Sequence, residues 1–362
     1  MTSSPKPSTF TNQKWILTKR PKDEFDPDRD VELKTEELNS KSCLDGEKDE
    51  QDLVLVKVEV LSVDAFIRTM MDATAYHGSL DLQNTLPALG YGTVVMSKSK
   101  KFRVGQPVLG MLGAQTYARI PAKQLKRKFD LPLLPTSASL GLLSLTTGLT
   151  AYAGIFFVPS KGPRKGDTVV VTASAGAVGS IAAQLAKTTG AKVVGIAGNK
   201  NDYLLNELKL DGAVNYKDKS ISLEDQLDEA CPNGVDFVFD NVGGDTLDAL
   251  LERIRPGGRI VICGAVSQYD SGSVNKVDGQ TVQGPSNYLN LAERGAEMRG
   301  FNVMQHMHKM PIAMFFLFWY YVRGKVRMTE HIHNGIESFP KALKSLFDGG
   351  NTGKTLVKVK NV

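Results

Sequence analysis

At 362 residues, 41% hydrophobic and 23% charged, the chain has the make-up of a soluble globular protein and the length for two cores. A formal net charge of +5 is mild, and its two denser stretches, 97–103 and 123–130, read as solvated loops or strand edges, so no specific nucleic acid is expected as a partner. Three scattered cysteines, Cys43, Cys231 and Cys263, argue against a disulfide framework and suit a reducing compartment.

Residues 1–13 read as a flexible tail. The polar start MTSSPKPSTFTNQKW has no apolar stretch of signal-peptide type, so cytoplasmic placement is the expectation. Strands are predicted at 14–19, 31–38 and 52–63. The last alternates apolar and polar residues as a half-buried strand does. The acidic, turn-rich segment 39–52 reads as an exposed loop. GYGTVVMSK, QPVLGML and TYARIPA supply further short strands. Many short strands with Gly and Pro punctuation predict a small, mostly β barrel-like domain over 1–140.

The pattern then changes. LGLLSLTTGLTAYAGIFF (140–157) carries helix formers, and after it strands and helices alternate. Strands are predicted at 169–171, 191–198, 212–217, 235–244, 259–265 and 297–304, with helices between them. The helix DTLDALLERIRPGG stops at Pro-Gly-Gly. Such alternation predicts parallel βαβ units and a doubly wound sheet over 141–312, an α/β domain. AMFFLFWYYV (313–322) is about half of the ~20 residues that cross a bilayer, so no membrane partner is expected; it reads as a buried or interface helix, which leaves a homodimer open. A helix, ESFPKALKSLFDGG, and a last strand, KTLVKVK, follow; the segment 313–362 returns to the first domain.

The stretch DTVVVTASAGAVGS (167–180) carries the chemistry. A β-branched strand runs into a small-residue turn and then a helix, in the form A-x-x-G-x-x-G. Gly176 lets the backbone approach a pyrophosphate. Gly179 lets the helix pack on the strand, and the helix N-terminus faces phosphate charge. The alternative is plain packing of small residues; the full βαβ series favours the dinucleotide. The second strand ends in Gly198-Asn199-Lys200, where NAD-binding folds place an acid for the ribose 2′-hydroxyl. Lys200 instead suits a 2′-phosphate, which favours NADP over NAD, the alternative being an exposed lysine at a helix start.

No set of cysteines and histidines has zinc spacing: His331 and His333, like His306 and His308, are two apart and read as surface residues. There is no G-x-S-x-G elbow and no cysteine with an evident histidine partner. A bound nicotinamide would then carry the reaction as hydride transfer.

The order of a β-rich first domain, AGAVGS, NYK, FDNVGG, ICGA and NTGKT resembles the zinc-independent medium-chain dehydrogenase/reductases. Within them it resembles the prostaglandin reductase (leukotriene B4 12-hydroxydehydrogenase) and alkenal double-bond reductase group, over about residues 14–360. The resemblance implies a Rossmann domain beside a GroES-like barrel, NADP(H) as cofactor, and reduction of the carbon–carbon double bond of α,β-unsaturated aldehydes or ketones. A quinone reductase of the same fold and a non-catalytic, cofactor-binding interaction protein are the alternatives.

Carried over by motif, Gly176, Ala177, Val178 and Gly179 hold the pyrophosphate, and Lys200 and Tyr216 bracket the 2′-phosphate. Asn241 and the run Cys263, Gly264, Ala265, Val266, Ser267, Gln268 and Tyr269 line the cofactor groove. Phe301, Asn302 and Val303 lie beside the nicotinamide, and Asn351 closes over it. Asp64 and Arg68, in SVDAFIR, match an active-site signature, and Arg68 and Tyr288 are the catalytic candidates. The chain departs from the family pattern at three places. Asp202 stands about where the family's 2′-phosphate lysine falls, Glu293 takes the place of a tyrosine that some members carry, and Ala65-Phe66 replaces Pro-Tyr.

Overall fold

The structure is a computed structural model that describes residues 9–45, 52–73, 78–270 and 284–359. Part of the tail expected over 1–13 and part of the loop expected over 39–52 lie outside the described residues. The first unit comprises Met1–Leu131, Ile332–Leu346 and Thr355–Val362; the second comprises Pro132–His331 and Phe347–Lys354.

In the first unit, β1 (Thr9–Leu17) and β2 (Val31–Asn39) form an antiparallel pair. Then come β3 (Leu53–Ser62), the one-turn helix α1 (Phe66–Thr69), β4 (Leu89–Ser97), β5 (Pro107–Met111), β6 (Tyr117–Pro121) and β7 (Lys126–Arg127). β3 keeps the predicted alternation from Val56 to Val60, where Lys57 and Glu59 are the less buried positions, but Leu53 to Val56 are all buried. β4 lies on one edge of it and β6 and the last strand of the chain on the other, all antiparallel, while Phe10 of β1 with Cys43 and Leu44 covers Leu53 and Leu55 on the face that alternation leaves to solvent.

The second unit begins with α2 (Gly148–Phe156). This helix is shorter than the apolar run predicts, because the chain before it folds back. A Cβ on Gly148 would lie 1.8 Å from the Leu142 carbonyl oxygen, a space only glycine leaves open. There follow β8 (Thr168–Val171), α3 (Ala177–Lys187), β9 (Lys192–Ala197), β10 (Gly212–Asn215), α4 (Leu223–Ala230), β11 (Val235–Asp240), α5 (Gly244–Glu252) and β12 (Ile254–Ile262). The helix predicted to stop at Pro-Gly-Gly ends sooner, at Glu252, and Ile254 to Gly258 open β12. Two short turns, α6 (Val266–Tyr269) and α7 (Asn290–Glu293), precede β13 (Glu297–Gly300). The six strands pair in the parallel order β10-β9-β8-β11-β12-β13, that is 3-2-1-4-5-6 in chain order, the Rossmann arrangement.

The helix α8 (Met310–Val322) buries Met310, Ala313 and Leu317 in the same core as Leu149 and Tyr152 of α2. It therefore belongs to the second unit, not to a segment returning from residue 313, and the boundary between units falls at 131/132 instead of 140/141. After it come β14 (Glu330–Asn334), α9 (Phe339–Phe347) and β15 (Lys354–Lys358). β15 joins the first unit's sheet, with Leu356 opposite Ser62 of β3. The seven-stranded GroES-like sheet thus takes the chain's last strand between β14 and β3. Cys43, Cys231 and Cys263 are all free thiols.

Candidate functional site

Because the six strands of the Rossmann sheet are parallel, their carboxyl ends share one edge. The order reverses between β8 and β11, and ligands of such sheets bind outside the carboxyl ends at that switch. The residues that leave these strands are 172–179, 198–200, 216–217, 240–243, 263–269 and 301–303. That set contains nearly all the cofactor positions named from sequence.

The turn after β8 is held tightly. Ala173, at the place of the usual first glycine, adopts φ +47°. It keeps the left-handed conformation that glycine normally provides, at a cost of about 1 kcal/mol. A Cβ on Gly179 would lie 2.3 Å from the Ala173 carbonyl oxygen, so α3 approaches the turn as closely as it does only because Gly179 lacks one. Gly176 is the N-cap of α3. The N–H groups of the first turn, at Ala177, Val178 and Gly179, have no partner within the helix and face outward from its positive end. That is a donor set for a pyrophosphate.

Between β8 and β11, Asn241 Nδ2 donates to the Thr172 carbonyl at 2.7 Å, and its backbone N–H donates to Thr172 Oγ1 at 2.7 Å. Asp240 sits behind them, fully buried. Its carboxylate accepts from Thr172 Oγ1 at 2.8 Å and from the N–H groups of Val242 and Gly243 at 3.1 and 3.0 Å. Burial raises its carboxyl above the usual carboxylate range. This network pins the two loops at the switch, and the sequence reading missed Asp240 because nothing in FDNVGG separates a buried anchor from a contact residue.

The run after β12 is pinned to the same place. The N–H of Cys263 donates to the Asp240 carbonyl at 2.7 Å, that of Val266 to the Asn241 carbonyl at 2.9 Å, and Ser267 Oγ donates to the Val242 carbonyl at 2.6 Å. Tyr269 turns back, and its hydroxyl oxygen accepts from the Ala265 N–H at 3.0 Å. Gly264 faces that ring, since a Cβ there would lie 2.9 Å from the Tyr269 hydroxyl. Gln268 lies in α6. Burial, with Asp240 nearby, pushes the Cys263 thiol up to about 12, so it carries no thiolate at neutral pH.

At the far end of the edge a cationic cradle forms. Lys200 Nζ donates to the Gly349 carbonyl at 2.9 Å and to the Asn351 carbonyl. Lys217 Nζ donates to the Asp348 carbonyl at 2.8 Å, its stem lying across Gly198, where a Cβ would be 2.9 Å from Lys217 Cδ. The Tyr216 hydroxyl stands by Gly349, 3.2 Å from where a Cβ would be. An ammonium has three donors, so one on Lys200 and two on Lys217 are left by these bonds. Burial and then the neighbouring Lys217 lower the pKa of Lys200. Two cations driven together beside a tyrosine suit a phosphate dianion. Lys217 was missed in the sequence because it lies beyond β10, and only the sheet order brings it beside the end of β9.

The segment 347–354 is laid against the phosphate turn: the Gly353 N–H donates to the Ala175 carbonyl at 2.7 Å, and Gly353 bridges Gly176. Asn351 is thereby placed over the same edge, within the second unit. Phe301, Asn302 and Val303 leave β13 at this edge. Phe301 and Val303 pack on the core, and Asn302 caps the next turn by accepting from the Met304 N–H at 2.9 Å. His306, read as a surface residue, packs its ring 6.4 Å from that of Phe301 and 6.2 Å from that of Phe157.

The two catalytic candidates sit on other elements, one in each unit. Arg68, on α1 of the first unit, is fully buried; its guanidinium donates to Asp72 at 2.8 Å and to the Asp23 carbonyl at 3.0 Å. Asp64, also buried, accepts from Ser62 Oγ. Tyr288 is 60% exposed on the turn before α7, whose Ser286 and Asn287 bond to Asp248 of α5. Among the described residues no group of three or more His, Cys, Asp or Glu is placed to hold a metal ion.

Comparison with known proteins agrees with the fold. Residues 177–316 match a family described as zinc-binding dehydrogenase, and residues 13–127 match one described as the N-terminal domain of oxidoreductase. The chain is 40% identical over 309 residues to the putative NADP-dependent oxidoreductase YfmJ of Bacillus subtilis, covering 84% of this chain and 88% of that protein. It is 35% identical over 352 residues to the NADP(+)-dependent 2-alkenal reductase of Nicotiana tabacum, covering 96% and 98%. Among solved structures, CurA of Vibrio vulnificus in complex with NADPH superposes with a TM-score of 0.83 at 28% identity, covering 97% of this chain and 100% of that one.

Proposed function

The chain belongs to the medium-chain dehydrogenase/reductases, in the branch without a zinc-binding group, and we propose that within it the protein reduces the double bond of 2-alkenals and enones. It is an NADP-dependent oxidoreductase acting on carbon–carbon double bonds, with NADP(H) as cofactor. The observation that carries the residue assignments is the convergence of Lys200 and Lys217 on the carbonyls of 348–351, with the Tyr216 hydroxyl beside Gly349, a cradle that suits the phosphate that distinguishes NADPH from NADH. The extended likeness to a 2-alkenal reductase supports the substrate class.

NADPH, when bound, supplies the hydride that adds to the β-carbon of the conjugated double bond. The residues of the chain position that donor. The first-turn N–H groups at Ala177, Val178 and Gly179 would hold the pyrophosphate, with Gly176 allowing close approach. Lys200, Lys217 and Tyr216 would hold the 2′-phosphate. Asn241, fixed by Thr172, and the run Cys263–Tyr269 would line the groove, with Phe301, Asn302 and Val303 at the nicotinamide end and Asn351 above. As negative charge reaches the carbonyl oxygen it needs a hydrogen-bond donor, and the α-carbon then needs a proton. The exposed hydroxyl of Tyr288 is the proposed donor from the chain, with solvent as its rival. Arg68, already bonded to Asp72 and the Asp23 carbonyl, serves as a support of the loop it crosses.

The test is loss of NADPH absorbance with a panel of 2-alkenals, enones and quinones, using 4-deuterated NADPH to locate the transferred atom. Deuterium at the β-carbon of a saturated aldehyde or ketone is the expected result. Turnover of quinones but not of enals or enones overturns the proposal. Tyr288→Phe should lower kcat while leaving the Kd for NADPH unchanged; an unaltered kcat removes Tyr288 from the mechanism.

A further inference from the structure

The helix α8, MPIAMFFLFWYYV, is apolar on every side, and a helix of that kind is normally covered all round. Here only one side is covered, by Met310, Ala313 and Leu317 in the core. Ile312, Phe315, Trp319 and Val322 fall on the opposite side at helical spacing and stand in solvent, Phe315 63% and Ile312 52% exposed. Thirteen residues span ~20 Å, too short for a bilayer's ~30 Å hydrocarbon core, and no helix among the described residues is long and apolar enough to cross a membrane. The stripe therefore needs a partner that it lies against.

Charge says which partner. From 298 to 329 the chain has no Asp or Glu but carries Arg299, Lys309, Arg323, Lys325 and Arg327. Cations flank both ends of the stripe: Lys309 Nζ lies 5.3 Å from the Phe157 ring centre, and the Arg323 guanidinium 5.1 Å from that of Trp319. A second copy fits poorly, because a two-fold axis would set cationic ends against cationic ends. Continuous with the stripe, at Trp319 and Tyr320, lies a groove of about 560 Å³ lined by Lys187, Lys209, Lys325 and Arg327. Lys187 is paired with Asp211 at 2.8 Å and Arg327 loosely with Glu207 at 4.0 Å, so the groove keeps a cationic excess.

We propose that this face docks the protein on the surface of an anionic phospholipid bilayer. The aromatic stripe enters the boundary between headgroups and acyl chains, and the groove beside Trp319 takes a headgroup phosphate or carboxylate. Apolar burial and cationic attraction are the two ingredients of such surface binding, and tryptophan favours that boundary. The sequence alone gave no expectation of a membrane partner, because too short a span excludes crossing but not lying on the surface.

The experiment is flotation of the full chain with vesicles of phosphatidylcholine, alone or mixed with phosphatidylserine. Two tryptophans are present, so Trp15→Phe leaves Trp319 as the reporter for quenching by brominated acyl chains. Binding to the mixed vesicles, weakened by salt and accompanied by Trp319 quenching, is expected. Phe315→Ser should weaken it about tenfold. The surface substitution Lys325→Glu, which changes two charge units, should weaken it roughly 25-fold. No flotation with either vesicle, or equal binding by both variants, overturns the proposal. So does a concentration-dependent dimer in light scattering that Phe315→Ser dissociates, since the face would then belong to a second copy.

Discussion

Lys200→Ala should convert an NADPH-selective protein into one that binds NADPH hardly better than NADH. The Lys200 ammonium already makes two carbonyl bonds, to Gly349 and Asn351, and retains one donor for a phosphate in a half-buried setting. A hydrogen bond to a charged group is worth about 1.5–3 kcal/mol, so the loss should be about 2 kcal/mol, or ~30-fold in Kd. Lys217 is exposed, and Lys217→Ala should cost only about 1 kcal/mol, ~5-fold. Fluorescence titration with NADPH and NADH, side by side, measures both. The pH dependence adds a signed check. Burial and Lys217 lower the pKa of Lys200, so its proton is lost at lower pH than from an ordinary lysine. NADPH affinity should fall as pH rises through that lowered pKa, while NADH affinity stays level. Stability of the free protein should move the other way. Between the lowered folded pKa and the ordinary unfolded one, the unfolded chain binds more protons, so folding gains as pH rises through that window. Lys200→Arg keeps its charge and should flatten both slopes. An equal loss of NADPH and NADH affinity in Lys200→Ala would refute the 2′-phosphate assignment.

Three further outcomes follow from the same edge. Gly179→Ala places a Cβ 2.3 Å from the Ala173 carbonyl oxygen; it should destabilise the fold by about 1–3 kcal/mol and abolish NADPH binding, read by thermal melting and titration. Ala173→Gly relieves a left-handed alanine at φ +47° and should raise stability by up to about 1 kcal/mol with binding retained; a lower melting temperature would show that the turn carries no strain there. Burial raises all three thiols, Cys231 to about 11 and Cys263 to about 12, with Cys43 also raised. The native protein should therefore resist alkylation by an enal or by N-ethylmaleimide at neutral pH until it is unfolded, as mass spectrometry would record; rapid modification of Cys263 would contradict its placement beside Asp240.

Local chemistry made much of this protein legible. The β-branched run at 169–171, the glycines of the turn and the strand–helix alternation are short-range signals, and each strand they predict is present in the parallel sheet, with α3 following the turn. The positions leaving the strands could be named as a cofactor edge for the same reason, since a parallel sheet collects its carboxyl ends wherever the helices run. The sequence misjudged elements whose fate depends on what packs against them. The first half of β3 is buried on both faces because Phe10, Cys43 and Leu44 pack over Leu53 and Leu55, and α2 is short because the chain ahead folds onto Gly148.

Only the tertiary structure decided four matters, all involving residues far apart in the chain. It brought Lys217 and the carbonyls of 348–351 to Lys200, made Asp240 the buried anchor of the switch point, and assigned α8 to the second unit. It also left one face of that helix in water. Hydrophobicity in a sequence says that a surface must be covered. Which neighbour covers it, and which side is left over, is set by packing among elements that periodicity cannot see.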